Sequence, residues 1–119
     1  MSRLEAGKIY QIKTMALPAV RAYHVFRYLK DDPRRAAAYT HSPEWYGLSF
    51  VGYIRRETLF LVMPQTTEDI EGLFDFFSWS VPRARVDDFY KVLLPCGTEG
   101  VVYLPLLENK EQAEEVGND

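Results

Sequence analysis

The 119 residues carry 14 Lys or Arg against 17 Asp or Glu, a formal net charge of -3, and 47% of them are hydrophobic. That balance excludes an intrinsically disordered chain and a general polyanion binder, and the length suits one domain. No apolar run approaches the roughly 20 residues that cross a bilayer, the first six residues lack the apolar core of a signal peptide, and the single cysteine, Cys96, suits a reducing compartment; a soluble, cytoplasmic protein is expected.

Charge is unevenly spread along the chain. Residues 1–56 hold ten Lys or Arg against four Asp or Glu, whereas residues 57–119 hold four against thirteen. Any contact with nucleic acid is therefore confined to a local basic patch.

In chain order, residues 8–15 follow Gly7 and are rich in β-formers, which predicts a strand. Over residues 18–31, Ala19, Ala22, Val25, Phe26 and Leu29 recur at helical spacing behind Pro18, and this favours a helix over the competing strand character of residues 23–28. Asp32 before Pro33 predicts an N-cap and a short second helix through Ala36, Ala37 and Ala38. The proline-bounded stretch from His41 to Gly47 reads as a loop.

Leu48–Arg55 and Leu59–Met63 then read as two strands of a hairpin around residues 56–58. The second is apolar at every position, which predicts burial on both faces. A helix begins at Thr66 or Thr67, with Glu68, Asp69 and Glu71 near its positive end and an apolar stripe of Ile70, Leu73, Phe74 and Phe77; Pro82 stops it. Tyr90–Leu94 and Gly100–Leu106 are strands around a turn at residues 95–98.

Together these elements predict an α+β class: one domain over residues 1–107, a mainly antiparallel sheet of about five strands with two or three helices, then an acidic, flexible tail over residues 108–119. A partly open barrel is the nearest alternative.

The chain holds little that suggests catalysis. His24, His41 and Cys96 lack the spacing of a metal site, neither a Walker loop nor a Gly-x-Gly-x-x-Gly segment occurs, and Asp31-Asp32 and Asp87-Asp88 are sequence neighbours that point apart. Cys96 with a histidine as base is the one nucleophilic arrangement to weigh, and nothing in the spacing brings them together. The reading is a non-enzymatic protein-binding module without cofactor or metal, a small regulator or inhibitor of a larger charged assembly such as one that processes nucleic acid. Arg21, Arg27, Tyr28, Arg34 and Arg35 supply a basic aromatic surface, Trp45 and Tyr46 are aromatic anchors, and Glu68, Glu71 and Asp75 form a secondary acidic surface. Trp79, after two phenylalanines at a helix end, adds to the aromatic count. The alternative is an RNA or single-stranded DNA binder using the same basic face. A protein partner is expected, a membrane is not, and self-association through complementary charges is a further option.

Overall fold

The computed structural model describes residues 4–12, 22–80, 85–104 and 113–116. Among the described residues, seven strands, β1 (Ile9–Ile12), β2 (Tyr23–Tyr28), β3 (Leu48–Ile54), β4 (Leu59–Met63), β5 (Phe89–Leu93), β6 (Glu99–Tyr103) and β7 (Ala113–Val116), join one α-helix, α1 (Thr67–Ser80). The sheet runs β3-β2-β6-β5-β4-β1-β7, with every neighbouring pair antiparallel. The α+β class and antiparallel sheet expected from the sequence are present, with more strands and fewer α-helices. Two of the extra strands come from segments read otherwise: β2 from the expected helix, and β7 from within the acidic tail, where it pairs with β1.

The segment around Val25 shows why helical spacing misled. β2 lies between β3 and β6, so Val25 turns to one buried side while Phe26 turns to the other. Two adjacent buried residues break the alternation of a half-buried strand, and a helix stripe also contains such a pair. Pairing with two distant strands decides between them. Residues 18–21 of the expected helix lie outside the described residues, and 29–31 are not helical.

β3 and β4 are consecutive but unpaired, contrary to the expected hairpin, because β2, β6 and β5 intervene. In a flat sheet those four steps span about 19 Å. The connection is nonetheless a tight turn: Thr58 donates its N–H to the Arg55 carbonyl at 3.0 Å, and the Arg55 N–H donates to the Thr58 hydroxyl at 3.0 Å. Such a turn brings its ends within about 7 Å, so the sheet must roll. The roll closes against β1, since the Glu57 N–H donates to the Ile12 carbonyl at 3.0 Å and Ile12 forms an isolated bridge with Arg56.

Inside the roll, Ile12, Val25, Ile54, Phe60, Tyr90 and Val102 belong to one buried cluster, drawn from six strands. Burial of such a side chain contributes about 1.5 to 3 kcal/mol. The outer face carries α1. Thr66 caps it reciprocally, its N–H donating to Asp69 at 2.8 Å while the Asp69 N–H donates to the Thr66 hydroxyl at 3.3 Å. Ile70 and Leu73 are buried against the sheet, and Phe74 and Phe77 pack on Phe89 and Tyr103, edge-on and tilted, at centroid distances of 5.5 and 4.7 Å. Because α1 packs over β2, β5 and β6, the outer side of β4 is left partly open, and Leu59 is exposed. The full burial expected for β4 therefore holds on its inner face alone.

Gly72 sets the closeness of this packing. A Cβ there would lie 2.4 Å from a Tyr28 ring carbon and 2.7 Å from the Tyr46 carbonyl oxygen. Among the described residues no helix is long and apolar enough to cross a membrane.

Candidate interaction surface

The chain from Lys30 to Gly47 is irregular, and its own side chains hold it. Asp32 accepts the Arg34 N–H at 2.9 Å and so caps a 3-10 turn at Pro33–Ala37, as the Asp-Pro pair predicted. The Arg34 guanidinium returns to the same carboxylate at 2.6 Å and donates to the Ser49 hydroxyl at 2.9 Å. These bonds hold the Asp32 carboxyl at about 2, well below its ordinary range. Arg35 donates to the Lys30 carbonyl at 2.6 Å and to the Trp45 carbonyl at 3.0 Å, tying this turn to the next one, Glu44–Tyr46. Both arginines thus fix the loop that carries the aromatic residues.

Two of those aromatics and one on α1 reach outward. Tyr39 is 89% exposed, Trp45 39% and Trp79, near the end of α1, 64%. His41, held at a left-handed φ of 66°, stacks on the Trp79 ring at 3.8 Å with the planes 5° apart. A hydrogen bond of 2.9 Å joins its Nδ1 to the Tyr46 hydroxyl, and the Tyr46 ring leans on Phe76 at 5.7 Å. One loop and one helix end thereby gather an aromatic corner whose base is half-buried and whose rim is open.

The acidic face of α1 begins beside it. Tyr28 donates its hydroxyl proton to Glu71 at 3.2 Å, and the Lys30 ammonium lies 3.9 Å from both Glu68 and Glu71. Burial, reinforced by the bond to Glu71, pushes the Tyr28 phenol up to about 12. Burial, then the neighbouring Glu71, raises the Asp75 carboxyl. Where β2 meets the start of α1, a cleft of about 330 Å³ is lined by Arg27, Lys30 and Lys91 opposite Glu68, Asp69 and Glu99. Lys91 lies 3.9 Å from both Asp69 and Glu99, so the opposed charges are loosely paired across the opening.

Tyr28, Arg34, Arg35, Trp45 and Tyr46 therefore surround the same loop, with Glu71 and Asp75 on the adjoining helix. Arg27, exposed on β2, has no place in that loop and instead lines the cleft, together with Tyr28. Arg21 lies outside the described residues.

A second aromatic group was missed by the sequence reading. The register between β2 and β3 shifts at a bulge, so that Val25 pairs with Gly52 and Phe26 with Phe50, which leaves Val51 unmatched. Strict alternation would place Phe50 and Tyr53 on opposite faces. The bulge instead puts both beside His24, at centroid distances of 5.4 and 5.2 Å from it and 4.7 Å from each other. Gly52, inside a strand of otherwise larger residues, is the sequence signal for that bulge.

Cys96 is exposed in the β5–β6 turn, where its hydrogen-bond partner is the Thr98 hydroxyl at 3.3 Å, a contact that lowers the thiol pKa. Among the described residues no three His, Cys, Asp or Glu gather to hold a metal ion. No family model matches the chain, and no curated protein or solved structure matches it significantly.

Proposed function

We propose that the protein is a non-enzymatic protein-binding module, a small regulator or inhibitor of a larger charged assembly, and that it engages its partner through the corner formed by Tyr39, Trp45 and Trp79. The observation that carries this reading is the exposure of these three rings, at 89, 39 and 64%, the first two on a loop already fastened by Arg35 and the third near the end of α1. Trp and Tyr dominate interface hot spots because they bury large areas while ordering few torsions, and a fastened loop reduces the entropy lost on docking. The acidic face of α1 beside the corner suits a basic rim on the partner, which favours encounter more than affinity.

The test is affinity capture from the native host's lysate after nuclease treatment, with wild type and a Trp45→Ala/Trp79→Ala variant side by side. A stoichiometric protein held by wild type and bound at least about tenfold more weakly by the variant is the expected result, in line with losses of roughly 2 kcal/mol or more at hot spots. Equal capture by both, with the variant still folded, would remove the corner from the interface.

A further inference from the structure

We propose that the outer face of β2 and β3, where His24, Phe50 and Tyr53 meet with Arg55 at their end, is a binding platform for single-stranded nucleic acid. This surface is different from the aromatic corner, and the inference does not depend on the protein-binding reading.

Phe50 is 48% and Tyr53 41% exposed, yet the rings touch one another and His24, so they form one patch of aromatic surface. Phe26 supports the patch from below, 6.3 Å from Phe50, and contacts Phe76 of α1 at 6.4 Å. Helix α1 thus flanks the platform without being its cover. Unpaired bases stack on open ring surfaces of this kind whatever their sequence.

Charge decides the class of ligand. Neither β2 (YHVFRY) nor β3 (LSFVGYI) contains an acid, and β3 runs directly into Arg55 and Arg56, two cations against the single acid Glu57 in the same turn. The Arg55 guanidinium sits 4.9 Å above the Tyr53 ring, so a cation borders the stacking surface where a phosphate would follow its base. Acidic Glu68 and Glu71 belong to the opposite end of β2, where they face Tyr28 and Lys30.

Geometry argues against a peptide strand adding to the β3 edge instead. The bulge at Val51 interrupts the regular ladder an added strand would need, a common way for edge strands to resist pairing. What the bulge provides is the shared direction of Phe50 and Tyr53, which serves binding on the face.

Fluorescence anisotropy with labelled 12-mers of U and of dT, and a duplex of the same length, tests the proposal across 50 to 300 mM salt. Single strands should bind more tightly than duplex, and binding should weaken with salt at a log–log slope of about -0.7 for each phosphate neutralised. Phe50→Ala and Tyr53→Ala should each weaken binding about fivefold or more, Tyr53→Phe should retain it, and Arg55→Gln should lessen the salt slope by about 0.7. Circular dichroism and thermal midpoints confirm that each variant is folded. Preference for U or for dT assigns the ligand to RNA or to DNA, and either supports the platform. Failure of both single strands to bind at 50 mM salt, equal affinity for duplex, or unchanged affinity in folded Phe50→Ala and Tyr53→Ala variants overturns it. So does capture of a protein through Phe50 and Tyr53 when neither oligonucleotide binds.

Discussion

Replacing Gly72 by Ala sets helix propensity against packing, and the two give opposite signs. In an exposed helix interior the change stabilises by about 1 kcal/mol, because alanine orders less backbone freedom on folding. Here the new Cβ would lie 2.4 and 2.5 Å from two carbons of the Tyr28 ring and 2.7 Å from the Tyr46 carbonyl oxygen. Comfortable carbon contacts need roughly 3.5 to 4.0 Å. The ring cannot simply swing aside, since its hydroxyl is bonded to Glu71 one residue earlier on the same helix. The carbonyl is main chain, in a loop fixed by the Arg35 bonds on either side. Forcing a methyl into such a site costs about 1 to 3 kcal/mol and occasionally more. The upper part of that range applies because the clash includes backbone, which leaves a net loss of about 2 kcal/mol. For a chain of this length that corresponds to a fall in Tm of roughly 6 to 12 °C.

Thermal and urea unfolding followed by circular dichroism measure the effect, for Gly72→Ala, Tyr28→Ala and the double variant. Removing the ring relieves two of the three close contacts, so the double variant should be more stable than the sum of the single losses by about 1 kcal/mol or more. A Gly72→Ala protein with unchanged or raised Tm, or strict additivity in the cycle, would refute the close approach of β2 to α1.

Two further predictions concern titration. The folded Asp32 carboxyl is held at about 2 by its bonds to Arg34, below its unfolded value near 3.8, so its contribution is present above pH 4 and disappears as pH falls toward 2. Acid unfolding of Asp32→Asn should therefore lose part of the wild-type dependence across that window, and an unchanged acid profile would show that the capping bonds are absent in solution. Tyr28 gives the opposite case: its folded phenol is raised from 10.0 to about 12, so the neutral form is the one the fold favours, and stability falls as pH rises from 10 to 12. Tyr28→Phe should flatten the stability profile in that alkaline window, which pH-dependent urea midpoints would reveal.

What was legible in the chain was local. The helix start at Thr66 or Thr67, the N-cap at Asp32 and the turn at residues 95–98 each depend on groups a few residues apart, and each is present, although the short helix expected after Asp32 is a 3-10 turn. The candidate aromatic anchors Trp45 and Tyr46 were also visible by residue type. The relation of Tyr46 to Trp79 was not, because the contact runs through His41 and its positive φ. Phe50 and Tyr53 escaped for a related reason, as a one-residue bulge reverses the face that alternation assigns.

The sequence by itself thus determined the class of fold, the caps and turns, and which segments are apolar enough to be buried. Tertiary structure alone decided that residues 23–28 form a strand, that consecutive β3 and β4 lie four places apart, and that residues 113–116 pair with β1. The physical reason is the range of the forces involved. A cap or turn is stabilised by its own neighbours, whereas a strand gains its hydrogen bonds and burial from partners remote in sequence, and the rolled sheet chooses those partners collectively.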